Sequence, residues 1–272
     1  MAFLRTTCFS AIIIKAEGQT DVEWVSQTEM DTATNLRKLG SFVLLTVFIV
    51  GGVSCVGKAP ETPAPVLQGP AGEVSIKLPQ PRYSSKVSLE ESLLKRRSVR
   101  EYSGEALTLE EVSQLLWAAQ GITSEWGGRT APSAGALYPL EVYVAVGNVE
   151  NLNPGVYKYK PERHELVKVR DDDVRTGLAE AALGQVWVKE GAIDIVIAAV
   201  YERTTKKYGD RGVRYVHMEA GHAAQNIYLQ AAALGLGMVT VGAFHDDWVK
   251  EIMSMPEDGV PLYMIPVGRT KN

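Results

Sequence analysis

The chain is 272 residues long, 46% hydrophobic and 22% charged, an ordinary globular composition with room for one substantial domain plus appendages. A net charge of −4 excludes a chain-wide electrostatic nucleic-acid binder, so any basic site has to be local. Both cysteines, Cys8 and Cys55, lie in the N-terminal fifth, which excludes a disulfide framework, a cysteine nucleophile and a thiolate metal site from Val56 onward.

Residues 37–55, RKLGSFVLLTVFIVGGVSC, run from a basic start through an uncharged apolar stretch, Phe42 to Val50, to small residues and a cysteine. That order is a secretory signal. Gly52-Val53-Ser54-Cys55 resembles a bacterial lipobox with Gly52 in place of the usual leucine, which would make Cys55 the lipid-carrying N-terminus of an exported protein. An ordinary signal, an uncleaved anchor and a buried segment are the alternatives, although Ser41 to Gly57 falls short of the ~20 residues a span needs. Met30 stands at a natural distance ahead of this segment. Residues 1–29 therefore read as an over-long N-terminal extension and 30–55 as the signal. Residues 56–82 carry Pro60, Pro63, Pro65, Pro70, Pro79 and Pro81 among small residues, the composition of an extended tether. The folded domain is expected over 83–272.

Within that domain, Ser88-Leu-Glu-Glu91 predicts the start of a short helix that runs into Arg96-Arg97-Ser98-Val99-Arg100. Thr108-Leu-Glu-Glu111 predicts a second helix, with Leu109, Val112, Leu115, Leu116 and Ala119 at helical spacing up to Gly121. Residues 122–139 lose periodicity and hold five Gly or Pro residues, so they predict a long loop, a feature that tends to be functional. A strand follows at Glu141 to Val146, then a hairpin of Gly155 to Lys160 with Glu165 to Val169. Asp171 to Leu183 predicts a helix with acidic residues at its start, and Ile193 to Val200 a strand buried on both faces. Arg214 to Leu236 is a helix apolar nearly all round, to be enclosed by core, by a partner subunit or by lipid. His217, Glu219, His222, Gln225, Asn226 and Gln230 are expensive at a bilayer centre and argue for protein as the cover. A strand at Met238 to Phe244, a helix at Asp246 to Ser254 and a strand at Leu262 to Val267 complete the series. The mixture lacks strict βαβ alternation and predicts α+β, with a mixed or antiparallel sheet flanked by helices.

Arg96, Arg97, Ser98 and Arg100 place three guanidiniums and a hydroxyl within five residues. Such a cluster can fork donors onto a phosphate or an anionic ring edge. It is equally the composition of a solvated basic turn or a protease site. Gly235-x-Gly237 follows a helix and precedes a strand, the reverse of the order a dinucleotide fingerprint requires. His217 and His222 are five apart, about 140° around a helix, so they do not converge on one metal; hydrogen-bonded histidines inside a packed helix are expected. Ser133 lies in Pro-Ser-Ala-Gly, not in a nucleophile elbow.

Taken in order, SLEESLLKRRSVREYSGEALTLEEVSQLLWAAQG, TAPSAGALYPLEVYV, KKYGDRGVRYVHMEAGHAAQNIYLQAAALGLG, VGAF and IPVGR resemble the nitroreductase family of flavoproteins, in particular its SagB-type, thiazole/oxazole oxidase-like dehydrogenase branch. The resemblance covers Val87 to Arg269. It implies an α+β homodimer with FMN at the subunit interface and central helices packed across the two-fold. Arg96, Arg97, Ser98 and Arg100 would then grip phosphate, ribityl chain and pyrimidine edge, and Arg269 would add a phosphate contact. Pro132, Ser133, Ala134, Gly135 and Ala136 would reach over the flavin from the neighbouring subunit, and Val241, Gly242 and Ala243 would offer backbone N–H groups near N5 and O4. Lys207-Tyr208 is similar to the Lys-Tyr pair that serves the branch as acid/base while a hydride leaves for the flavin; the bland alternative is a basic surface loop. The implied activity is ping-pong oxidoreduction of a small molecule or a modified peptide. A rival of another class is a surface-anchored lipoprotein that keeps the fold as a non-catalytic binding module.

Overall fold

A computed structural model describes residues 9–11, 24–26 and 74–271. The stretch read as a signal, Cys55 and most of the proline-rich stretch read as a tether lie outside the described residues. Near the N-terminus, β1 (Phe9–Ala11) and β2 (Trp24–Ser26) form an antiparallel ladder of their own.

The main body is a seven-stranded sheet in the order β3-β6-β5-β4-β7-β9-β8, every adjacent pair antiparallel. Its strands are β3 (Ser75–Lys77), β4 (Leu140–Val146), β5 (Gly155–Lys160), β6 (Glu165–Arg170), β7 (Ile193–Ala199), β8 (Leu236–Met238) and β9 (Val260–Arg269). β3, at one edge, is drawn from the stretch whose composition reads as tether.

Side chains alternate along the central strands and feed two cores. Val142, Val144, Ile193, Ile195 and Ile197 face one layer, while Tyr143, Ala145, Val196 and Ala198 face the other. This is why β7 is buried at all seven positions and reads as an unbroken apolar run. Each fully buried isoleucine there contributes about 1.5 to 3 kcal/mol.

The first layer holds α2 (Leu109–Gln120) and α6 (Arg211–Leu234), which pack together against the sheet. A complete capping box opens α2, with Glu111 N–H donating to Thr108 Oγ1 (3.2 Å) and Thr108 N–H to Glu111 Oε2 (2.8 Å). The second layer holds α3 (Arg175–Ala181), α4 (Val186–Glu190) and α7 (Asp246–Ile252). Two short helices border α6: α1 (Leu89–Lys95), capped by the Ser88 hydroxyl, and α5 (Glu202–Tyr208). Among the described residues no helix is long and apolar enough to cross a membrane.

The α+β class and antiparallel sheet follow the pattern of the sequence, while several boundaries depart from it. The helix expected over Asp171 to Leu183 begins only at Arg175, because the Asp173 carboxylate takes the Arg175 backbone N–H and guanidinium outside the helix. Gly235, with φ of 72°, caps α6 in the left-handed conformation, so the glycine pair there is a helix stop. The strand expected from Met238 to Phe244 is confined to Leu236–Met238. Beyond it the chain leaves the sheet, Thr240 N–H turns to Tyr228 Oη (3.1 Å), and only Val241 rejoins β9 as a single bridge to Met264.

Candidate functional site

Two clusters of the sequence-singled residues form on opposite halves of α6. The first gathers beside its C-terminal half. After α1 the chain runs extended past β8, where Ser98 bridges Met238 and Val99 N–H donates to Met238 O (2.9 Å). That pairing delivers Arg96 and Arg97 to a hollow of about 290 Å³, shared with Val99, Tyr228, Met238 and Thr270. Arg96 stacks its guanidinium over the Tyr228 ring at 5.0 Å, and the Tyr228 hydroxyl lies 3.0 Å from Ser98 Oγ. Because Thr240 N–H also donates to that hydroxyl, Tyr228 ties the arginine segment to the strand leading into Val241, Gly242 and Ala243.

Chemically, this half is an array of unsatisfied donors. Arg97 donates only to the carbonyls of Leu94 and Arg96, and Arg100 lies over the Trp187 ring at 5.4 Å. Among the described residues none of the three guanidiniums is ion-paired, and neither the Gly242 nor the Ala243 backbone N–H has a partner. Both of those residues are exposed. Arg269 is placed differently. Its guanidinium donates to Ala106 O (3.0 Å) and Glu111 Oε2 (3.0 Å), tying the end of β9 to the α2 cap, and it does not line the hollow.

The second cluster surrounds the N-terminal half of α6. Pro132 to Ala136 form a tight turn with a 3-10 segment, Ala134–Ala136, in which Gly135 (φ 64°) and Ala136 (φ 54°) are left-handed. Gly135 touches the tip of α5: a Cβ added there would sit 2.7 Å from Tyr208 Oη and 2.9 Å from Lys207 Nζ. Glycine suits that φ, and any Cβ there would displace the ends of the Lys207 and Tyr208 side chains. Lys207 Nζ is 5.4 Å from the Tyr208 ring centre, and the Tyr208 ring meets Tyr215 of α6 edge-on at 5.2 Å. The Lys-Tyr pair therefore sits on a helix, not in the basic loop that its composition allows.

Behind this turn lies Glu219, 2% exposed, a residue the sequence reading left as part of a polar stripe. The Ser133 hydroxyl lies near its carboxyl, and Oε1 is buried without a partner. Burial pushes its pKa from 4.5 up to about 7, against the pull of the Ser133 hydroxyl and the Arg129 charge. Ser133 Oγ also accepts from Tyr138 N–H (2.9 Å), so one hydroxyl links the turn to the central helix. His217 and His222 are exposed, not packed inside; His217 Nε2 meets Tyr201 Oη at 2.5 Å. Tyr228 and Glu219 carry no mark in the sequence beyond being polar groups on a mostly apolar helix. Their burial comes from tertiary contacts.

The nitroreductase family model matches residues 93–269, which include both clusters. The chain belongs to the nitroreductase family. It is 56% identical to the nitroreductase-family protein MJ1384 of Methanocaldococcus jannaschii over 67% of this chain and 91% of that one. It is 22% identical to FMN reductase (NADPH) of Bacillus subtilis, over 67% of this chain and 66% of that protein. Among solved structures, one from Ralstonia eutropha superposes with a TM-score of 0.65 at 34% identity, covering 73% of this chain and 90% of the other. The Escherichia coli microcin synthetase McbBCD complex, solved with truncated pro-MccB17 bound, contains a chain that superposes with a TM-score of 0.56 at 26% identity, over 70% and 76% of the two chains. These likenesses make the protein an oxidoreductase of a flavin-using family with the nitroreductase-like fold.

Proposed function

We propose that this protein is an FMN-dependent oxidoreductase of the SagB-type branch, working as a homodimer and held outside the cytoplasm through a lipid on Cys55. The observation that carries the cofactor reading is the set of unpaired guanidiniums on Arg96, Arg97 and Arg100, of which Arg96 and Arg97 line the hollow while Arg100 turns to Trp187; the free N–H groups of Gly242 and Ala243 lie outside the hollow's lining. A cation cluster without carboxylate partners suits a phosphate and an electron-rich ring edge, and exposed N–H groups suit ring acceptors. Tyr228, fixed by Ser98 and Thr240, would hold these donors in register. When bound, FMN supplies a two-electron acceptor at N5.

The chain's own contribution to turnover is proton handling and enclosure. Lys207 and Tyr208, side by side at Gly135, would take the substrate proton that leaves as the electron pair departs. The Pro132–Ala136 turn would cover the reacting face and exclude water.

Tyr215, against Tyr208, and Tyr228, against Ser98, are thirteen residues apart on α6, roughly 20 Å at ~1.5 Å per residue. One chain therefore does not bring its two clusters onto one small ligand. A second copy, antiparallel across α6, would set the turn of one chain over the arginine hollow of the other. Exposed Leu89, Leu93, Leu94 and Met218, at 52 to 73% exposure, supply apolar surface for that pairing. The substrate class is a small molecule or a modified peptide; the peptide-bound McbBCD complex supports the latter.

Purified protein is expected to be a yellow dimer that releases FMN on denaturation. Arg96→Ala should weaken FMN binding about tenfold or more, the worth of one charge-assisted hydrogen bond of ~1.5 to 3 kcal/mol. A colourless monomer indifferent to added FMN, or undiminished FMN affinity in the variant, would overturn the reading.

A further inference from the structure

A cleft remote from the arginine hollow has the makings of a binding site of its own. It opens within the sheet. The β4–β5 ladder runs from Val146↔Gly155 only as far as Tyr143↔Lys158, while β4 stays paired to β7 along its whole length and β5 to β6 through Lys160. Leu140 to Val142 and Tyr159 to Lys160 thus part company, and a hollow of about 410 Å³ lies between them. Backbone groups that would have completed the ladder face this gap.

Charge in the cleft is unbalanced. Arg129, Lys158, Lys160 and Arg203 line it against Glu141 and Glu162, four cations to two carboxylates, a net of +2. Both carboxylates are already engaged. Glu141 joins Lys158 (3.0 Å) and Arg203, and Glu162 joins Arg129 (3.2 Å). Lys160 has no ion-pair partner among the described residues.

An independent observation comes from Gln120 at the C-terminal end of α2. It is fully buried yet lines the cleft, and its Oε1 accepts from Arg129 Nη1 at 3.0 Å, which fixes the amide orientation. The opposite atom, Nε2, is buried with no acceptor at all. A buried donor without a partner is unfavourable until an acceptor arrives. The cleft therefore carries a net positive charge, and at Gln120 a donor without a partner.

From these facts we infer that the gap between β4 and β5 is a binding site for a small polyvalent oxyanion bearing carboxylate or phosphate groups, with Gln120 and Arg129 at its base and Lys160 and Arg203 at its mouth. Arg203 also donates to Tyr138 O (3.2 Å) and stands one helical turn before Lys207 on α5. An anion gripping Arg203 would thus touch the element that carries Lys207 and the turn that carries Gly135.

The test is calorimetric titration of the full chain with citrate in one arm and pyrophosphate in the other, at fixed ionic strength, with NMR of the Gln120 side-chain amide as a second readout on the unaltered protein. Saturable binding in at least one arm, a shift of the Gln120 amide protons, and at least tenfold weaker binding in Lys160→Glu are expected. The arm that binds tells carboxylate from phosphate. Read at the Gln120 amide protons, Arg96→Ala should leave this binding unchanged, which separates the cleft from the arginine hollow. The inference falls if neither anion saturates, if the Gln120 amide does not respond, if Lys160→Glu binds equally well, or if Arg96→Ala abolishes the signal.

Discussion

Glu219→Gln isolates one electrostatic quantity in this fold. Glu219 is buried on α6 near the Ser133 hydroxyl, with one oxygen unsatisfied and its pKa pushed from 4.5 up to about 7. A carboxyl whose folded pKa is raised helps the fold while it is protonated, below pH 4.5. That help is lost as pH rises through 7, because the unfolded chain ionises freely while the buried group resists. The rise from 4.5 to about 7 corresponds to about 3 kcal/mol. Glutamine keeps the shape and an oxygen for Ser133 but never ionises. The variant should be about 1 kcal/mol more stable than the parent at pH 5 and about 3 kcal/mol more stable at pH 8. Urea unfolding at both pH values measures the difference, and Asp194, also buried with a raised pKa, cancels because both proteins carry it. A stability gap that does not change with pH, or that narrows from pH 5 to pH 8, would refute the buried-carboxyl argument.

Two further substitutions probe the second cluster. Gly135→Ala would force a Cβ within 3 Å of both Tyr208 Oη and Lys207 Nζ at a left-handed φ, so turnover of a donor–acceptor pair is expected to fall at least tenfold while bound flavin, read by its absorbance, stays constant. Lys207→Ala should likewise keep the flavin content of the parent and slow oxidation of substrate in single-turnover flavin bleaching. Unchanged bleaching would remove Lys207 from the proton path.

Much of the fold was legible because its signals are local. The Ser88 cap, the capping box at Thr108 and the unbroken apolar run of β7 each encode an element within a few residues. Where local cues compete, boundaries moved. The acidic run Asp171 to Asp173 suits a helix start, yet Arg175 turns back onto Asp173 and delays it. Helix α5 escaped notice because a seven-residue segment, buried only at Thr204, has no apolar periodicity to detect. The arginine segment was visible as composition, but composition fits a solvated turn as well as a clamp. What tertiary structure adds is the bridge from Ser98 to Met238 and its bond to the Tyr228 hydroxyl, contacts between residues 140 and 130 positions apart.

The sequence by itself determined that this chain builds an α+β domain around one long central helix, since periodicity and caps are properties of neighbouring residues. Only the tertiary structure decided that the arginines and the Lys-Tyr pair occupy opposite halves of that helix, that Glu219 is buried behind the Ser133 turn, and that β4 and β5 part to leave a positively charged gap. The physical reason is that burial, pKa and charge balance depend on which distant segments meet. Strand order in an antiparallel sheet sets those meetings, and no local pattern encodes it.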